Sequence, residues 1–408
     1  MFKWFNNLKI SAKLLAVLII PMLGLVYFSI SGVVEKAAVA ANMRQLETLA
    51  GLSTRIGAAV HELQKERGMT ATFLASQGDK MAAELPVQRE ASDAKTAELR
   101  EALQGIQAGA YGEAFQTAVD EALTRLEALP DNRKQADGFQ IAGAESTAYY
   151  TGAITSLLGV TSQIVTLSDN GEVSRLASAY LMLLQAKERA GQERALVSAA
   201  FAADQFSREQ FQKFLANSAE QETYTNLFLS FALDDQQAFY RSKMTGQAMD
   251  EVASLKKTAL DAGPETSLGA DANHWFDVAS DRINLLKEVE DSLGSDLLQT
   301  AGSIRQGAER TLWAFVALAA AAIALGAASG FFLARAISRP LQTMTRAAQQ
   351  MAAGDLDQHF SVDSRDEIGA MSQAFQRMIA YLQSMAGAAG RLAQGDLTVE
   401  VTPESEKD

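Results

Sequence analysis

Two strongly apolar stretches of the chain carry no charge: residues 14–34, bounded by Lys13 and Glu35, and residues 311–334, bounded by Arg310 and Arg335. At 21 and 24 residues, each is long enough to cross about 30 Å of hydrocarbon as a helix. A buried core helix is the competing reading, but two uncharged runs of this length argue against it. A cleavable leader is another, and Ala38-Val39-Ala40 does offer small residues. The first run nevertheless exceeds the roughly 7–15 apolar residues of such leaders. The pattern therefore predicts two transmembrane helices, the first an uncleaved anchor.

Between them, residues 35–310 follow a helical rather than an alternating period, and no proline occurs between Pro130 and Pro264. Breaks are expected at Ser76-Gln77-Gly78-Asp79, Gln107-Ala108-Gly109, Pro130-Asp131-Asn132, Ser168-Asp169-Asn170-Gly171 and Asp261-Ala262-Gly263-Pro264, all turn and cap compositions. The expected segments are helices of about 20–45 residues, longer than the globular mean. They predict one or two antiparallel bundles whose first and last helices continue from the spans. Stepping three and four residues along the first external helix gives Val39, Asn42, Leu46, Leu49, Ser53, Ile56, Val60, Leu63, Arg67, Thr70 and Leu74, an apolar seam with one cation on it. The same rule gives Leu176, Tyr180, Leu183, Lys187, Ala190, Arg194, Val197 and Phe201 further on.

A cation on a seam must be paired, hydrogen-bonded or ready for an anion, because an isolated buried charge costs several kcal/mol. Glu66 and Glu193 precede Arg67 and Arg194 but project about 100° away around the helix. Two readings stay open at this point. Each arginine pairs across the bundle or buries only its stem, or the two converge on a shared pocket.

Charge locates the acidic excess. The chain of 408 residues has a net charge of −13 and no cysteine. Zero cysteines exclude disulfides, thiolate metal sites and thiol nucleophiles, and the acidic balance argues against a nucleic-acid partner. Residues 35–310 hold 26 Lys/Arg against 39 Asp/Glu, so the whole excess lies there. Lys3, Lys9 and Lys13 precede the first span without an acid, and Arg335, Arg339 and Arg346 follow the second. Positive flanks face the cytoplasm, so the expected topology is two-pass in a bacterial inner membrane, with residues 35–310 periplasmic.

Leu63-Gln64-Lys65-Glu66-Arg67-Gly68 followed by Phe73-Leu74-Ala75-Ser76 resembles the opening signature of the NIT (nitrate- and nitrite-sensing) domain. Tyr149-Tyr150, Ile154, Leu157-Leu158 and Lys187-Glu188-Arg189-Ala190-Gly191-Gln192-Glu193-Arg194-Ala195 resemble its later motifs, and Gln221, Tyr224 and Phe228 continue the similarity over roughly residues 50–290. The resemblance implies an all-α sensor that binds a small oxyanion, nitrate or nitrite, through arginines from separate helices. It makes Arg67 and Arg194 the leading ligand residues, with Arg189 second. A guanidinium presents paired donors matching two oxygens of a trigonal anion. Four heavy atoms at about 1.5 kcal/mol each limit binding to about −6 kcal/mol, or tens of micromolar.

After the second span, Pro340, a Gly354-Asp355-Leu356 break and Arg365-Asp366-Glu367-Ile368-Gly369 precede an a/d seam of Ile368, Met371, Phe375, Met378, Leu382 and Met385. A lone helix with such a seam needs a partner, which predicts a homodimer. The segment resembles a HAMP relay domain, a parallel four-helix coiled coil across two chains, with Pro340 and Glu367 at its best-known positions. Gly395-Asp396-Leu397 repeats the break 41 residues on, which lays Asp408 over Glu367. The expectation is a second HAMP unit cut short and an effector module beyond it. The expected organisation is a cytoplasmic N-terminus (1–13), transmembrane helix 1 (14–34), sensor (35–310), transmembrane helix 2 (311–334), HAMP (335–388) and the start of a second HAMP unit (389–408).

His61, His274 and His359 share no metal-ligand spacing and are expected at polar surface or helix positions. No phosphate-cradling loop, nucleophile elbow or metalloprotease motif occurs. The predicted function is thus a non-enzymatic chemoreceptor without a cofactor. Its signal partners would be a chemotaxis histidine kinase and coupling protein, reached through a methyl-accepting module. The alternatives are the same sensor with a histidine kinase or cyclic-dinucleotide enzyme as output, and a structural ectodomain whose arginines are merely paired.

Overall fold

A computed structural model describes residues 10–357, 361–396 and 398–399. Lys3, Lys9, His359, Leu397 and Asp408, on which parts of the sequence reading rest, lie outside the described residues. The described chain is all-α: α1 (Ile10–Ala75), α2 (Glu84–Gln104), α3 (Glu113–Glu127), α4 (Leu129–Asp137), α5 (Gly143–Leu167), α6 (Gly171–Ala202), α7 (Arg208–Phe231), α8 (Asp234–Lys243), α9 (Gln247–Ala262), α10 (Ala272–Ala352) and α11 (Glu367–Ala393). Two compact units emerge, residues 38–309 and residues 1–37 with 310–408.

In the unit of residues 38–309, α1, α5, α6 and α10 surround the main core. Leu52, Ile56 and Leu63 of α1 meet Tyr150, Ile154 and Leu157 of α5, Tyr180 and Leu183 of α6, and Ile283, Val289 and Leu293 of α10. Each such side chain fully buried contributes roughly 1.5–3 kcal/mol, so the predicted seams are the main cohesive surfaces. From Leu46 onward every indexed seam position of α1 is buried, as are all eight of α6, Lys187 included. A second cluster joins Val197 and Phe201 of α6 to Phe214 of α7, Val252 of α9 and Trp275 of α10. The first cluster holds the middle of α6 against α1 and α10, and the second holds its C-terminal end against α7, α9 and α10.

Four of the five expected breaks are present. The break expected at Pro130-Asp131-Asn132 falls instead at Ala128 and leaves those residues inside α4, and the helices are shorter in two regions than predicted. The 15-residue α3 and 9-residue α4 split the stretch before residue 138, and α7, α8 and α9 split residues 208–262. Pro130 stands in the first turn of α4 and opens that helix rather than marking its end, since its missing N–H is one the first turn leaves unbonded anyway. The stops before α7 and α8 carry no Pro or Gly. Ser207 caps α7 with a reciprocal Gln210 contact, a signal visible only once the helix start is known. Asn170 caps α6 by accepting from the Glu172 and Val173 amides at 3.1 and 3.0 Å.

In the other unit, Val17, Ile20, Leu23 and Phe28 of α1 and Trp313, Leu318, Leu325 and Phe332 of α10 are exposed. The two helices are long and apolar enough to cross a membrane. Pro340 lies inside α10 rather than at its end. Leu341, Met344 and Ala348 of α10 face Met371, Phe375 and Met378 of α11 across an apolar groove of about 460 Å³. Asp366 caps α11 by accepting from the Ile368 and Gly369 amides at 3.0 and 3.1 Å, and exposed Glu367 occupies its first turn. Gly354 and Gly395, the two copies of the repeated break, both hold positive φ, 95° and 89°.

Candidate functional site

Arg67 and Arg194 line one cavity of about 480 Å³ between α1, α6 and the start of α10. Its walls are mostly small or apolar, including Ala71, Ala75, Ala195, Ala199 and Phe276. Those residues recur at helical spacing, so α1 and α6 each turn a small-residue face toward the opening. The guanidiniums are the concentrated polarity of that space.

The two arginines differ in how their charge is met. Arg67, 3% exposed, donates from both Nη atoms to Glu188 at 2.6 and 3.2 Å and from Nη1 to Thr151 Oγ1 at 2.9 Å. Glu188 also accepts from Gln64 at 2.8 Å and Gln192 at 2.7 Å. Arg194, 8% exposed, donates to the Ser280 hydroxyl at 2.8 Å and stacks over Phe276, its Cζ 4.7 Å from the ring centroid. Among the described residues no carboxylate lies within ion-pair distance of it. Burial, then Arg67 and Arg282, pull its guanidinium down to about 10, with Glu188 opposing. Of the two readings of a seam cation, Arg67 follows the cross-bundle pair and Arg194 does not.

Glycine makes the convergence possible. Arg194 Nη2 lies 2.8 Å from where a Cβ on Gly68 would stand, and Arg67 Nη2 lies 3.0 Å from the corresponding point on Gly191. Each guanidinium thus crosses the bare backbone of the helix that carries the other. Both glycines belong to the Arg-bearing motifs, and this close approach is the physical reason for them.

The glutamates preceding the two arginines turn away from the cavity, as the helical angle requires, yet both are fully buried. Glu66 accepts from Arg133 Nε and Nη2 at 2.7 and 2.9 Å and from the Tyr150 hydroxyl at 2.7 Å. Glu193 accepts from Arg282 at 2.7 Å and pairs with Lys256 at 2.5 Å. Burial alone would raise the Glu193 carboxyl, but Arg282 and Lys256 hold it below its ordinary value. These anchors fix the rotation of α1 and α6 with the arginines facing inward. Trp275 adds a third constraint, its indole N–H donating to the Arg194 carbonyl at 3.0 Å.

Arg189 does not reach the cavity. Its Nε donates to Glu220 at 2.5 Å and its guanidinium lies over Tyr224. Five residues separate it from Arg194, roughly 140° around the helix, so one helix cannot present both. Lys187 is fully buried and pairs with Glu290; burial lowers its ammonium pKa against the opposing pull of Glu290. His61 is a helix residue of α1, one of the two kinds of position expected for it, and it is buried. Burial first, then Lys187, Lys287, Lys65 and Arg194, hold its imidazole neutral, down to about 2. Sequence reasoning did not identify Glu188, Ser280, Phe276 or Ser198 as site residues. Ser198 lines the cavity, and its Oγ is buried and without a hydrogen-bond partner among the described residues. Its position one turn after Arg194 was the available signal.

Residues 58–298 match the NIT family model, described as nitrate and nitrite sensing, and residues 332–384 match the HAMP domain model. The nitrate regulatory protein of Klebsiella oxytoca is 30% identical over 267 residues, 65% of this chain and 67% of that protein. The methyl-accepting chemotaxis protein TlpA of Bacillus subtilis is 32% identical over 78 residues, and McpQ of Pseudomonas putida 38% over 69. Those matches span 19% and 17% of this chain and only 12% and 11% of the chemotaxis proteins. The solved structure of the NasR transcription antiterminator superposes with a TM-score of 0.63 at 24% identity, covering 87% of this chain and 94% of that one. At that identity the likeness shows the fold alone.

Proposed function

The chain belongs to the NIT family of nitrate and nitrite sensing domains, and on that premise we propose that Arg67 and Arg194 together bind nitrate or nitrite in the cavity between α1, α6 and α10. The observation that carries the reading is Arg194, a buried guanidinium lining a cavity with no carboxylate partner among the described residues. An anion placed between Arg194 and the cavity-facing edge of Arg67 would relieve their mutual repulsion. It would also supply Arg194 with the charge-assisted hydrogen bonds it lacks. The unpartnered Ser198 Oγ, on a residue of the same wall, becomes a further donor if its side chain rotates toward the anion. Arg189 is assigned no ligand contact, since its side chain is engaged by Glu220 and Tyr224.

The test is calorimetric titration of the full chain in lipid nanodiscs with sodium nitrate and sodium nitrite. Binding in the tens of micromolar is expected, lost in Arg67→Ala and Arg194→Ala. No heat with either anion, or wild-type affinity in Arg194→Ala, would sink the assignment.

The further reading is a homodimeric chemoreceptor in a bacterial inner membrane. Residues 35–310 face the periplasm, and HAMP relays ligand state to a methyl-accepting output that controls a chemotaxis histidine kinase through a coupling protein. The HAMP match, the chemotaxis relatives and the two long apolar helices support it. Pro340 and Glu367 are assigned to the relay, and the exposed Met371, Met378 and Leu382 edge of α11 to the partner chain. A coupling of about 1–3 kcal/mol between site and relay suffices to tilt a two-state equilibrium. The regulatory relative supports a second reading, in which the same sensor drives a different output. Nitrate-dependent activity of a chemotaxis kinase reconstituted with receptor membranes separates the two: a response supports the first, and intact nitrate binding without one supports the second.

A further inference from the structure

Among the described residues, Glu188 is the one carboxylate bonded to the two-arginine site. Only 1% of it is exposed, and it holds Arg67 by two hydrogen bonds while Gln64 and Gln192 fix its oxygens from the sides. Its charge reaches Arg194 as well, opposing the lowering of that guanidinium. The other charges nearby lie outside the cavity or at its mouth, and there Arg282 and Lys256 together exceed Glu193 by one positive charge. Arg282 is paired with Glu193, which also takes Lys256, and these residues do not line the cavity. Lys80 stands at the mouth with an exposed side chain, where solvent screens it. Two buried guanidiniums and one buried carboxylate leave the site with one net positive charge.

We propose that Glu188 sets the charge selectivity of the site, restricting it to monovalent anions. It acts as a positioning and counter-charge residue through Arg67, not as a ligand contact. The inference rests on the cavity being the anion site. A monovalent anion brings Arg67, Arg194, Glu188 and ligand to neutrality in a low-dielectric space. A divalent anion leaves one uncompensated negative charge there, next to a carboxylate that cannot move away from its four donors. Shape cannot perform this discrimination, because a cavity of about 480 Å³ is far larger than any simple oxyanion. With a neutral residue at position 188 the site carries two positive charges, and the divalent anion becomes the better match.

The experiment compares perchlorate with sulfate, tetrahedral oxyanions of similar size and different charge, alongside nitrate, on the full chain in nanodiscs. The wild type is expected to bind nitrate and perchlorate at least tenfold more tightly than sulfate. In Glu188→Gln the sulfate-to-perchlorate preference is expected to rise at least tenfold, and Glu188→Asp, which keeps the charge, is expected to retain the wild-type order. The selectivity ratio is the informative readout, since a merely structural role would weaken all anions together. Circular dichroism confirms that each variant is folded; should Glu188→Gln not fold, the wild-type perchlorate-to-sulfate ratio alone decides. Equal wild-type affinity for sulfate and perchlorate, or a folded Glu188→Gln with an unchanged ratio, overturns the proposal while leaving nitrate binding intact. No binding of any anion by the wild type overturns both this inference and the function it rests on.

Discussion

Arg67 and Arg194 have equal formal charge and similar burial, yet replacing each by methionine should act on the ligand-free protein in opposite directions. Methionine keeps most of the apolar stem and removes the guanidinium. The fall of Arg194 from its ordinary value to about 10 corresponds to roughly 3 kcal/mol against its charged form at neutral pH, at about 1.4 kcal/mol per unit. Losing the Ser280 hydrogen bond removes about 1 kcal/mol of stabilisation, and losing the Phe276 stack about 1 kcal/mol more. Arg194→Met is therefore expected to leave the ligand-free fold unchanged or about 1 kcal/mol more stable. Arg67→Met strands Glu188 in the interior, with only Gln64 and Gln192 still donating to it. That loss is expected near 3 kcal/mol, the lower end for a broken buried pair.

The assay is thermal unfolding in nanodiscs with and without nitrate at a hundredfold excess over Kd. That excess stabilises the wild type by about 2.7 kcal/mol, or roughly 5 °C for a domain of this size, and neither variant should show the shift. A loss of 3 kcal/mol or more in ligand-free Arg194→Met would mean that its charge is structurally satisfied, and would refute the reasoning. So would a nitrate shift that survives the substitution.

Gly68→Ala places a methyl 2.8 Å from Arg194 Nη2 on a helix that alanine otherwise favours by about 0.5–1 kcal/mol. Nitrate titration should therefore show at least tenfold weaker binding while the melting temperature holds or rises. Arg189→Ala should leave nitrate affinity within twofold of wild type, and a larger change would return Arg189 to the site. For His61, folded and unfolded pKa values of about 2 and 6.5 mean that the unfolded chain binds the extra proton between them, so stability rises with pH across that window. Lowering the pH from 7.5 to 5.5 should thus cost about 1.4 kcal/mol more in wild type than in His61→Gln, measured by parallel denaturation curves. The chain has no cysteine, so Val87→Cys on the exposed face of α2 gives one label site. It should react with a membrane-impermeant maleimide in intact spheroplasts, and labelling only after lysis would reverse the proposed topology.

The period of apolar positions was enough to define the all-helical class, the two long uncharged stretches, and the seams of α1 and α6 with Arg67 and Arg194 on them. These features are local: a helix face follows from spacing three and four residues apart, and a cation on that face is visible without knowing its neighbours. Position 194 could not be told from position 67 in this way, because a partner such as Glu188 for Arg67 comes from another helix. Arg189 shows the same limit in reverse, since it lies in the right motif but on the wrong side of α6. Packing of α1 against α6 and α10 decided which arginine was neutralised, which glycines the guanidiniums cross, and that His61 is buried. The shared cavity also belongs to the tertiary structure, because its walls come from α1, α6 and α10, segments far apart in the chain. One-dimensional spacing fixes angle around a helix axis, whereas distance between axes and the sum of charges in a buried space exist only after the helices have packed.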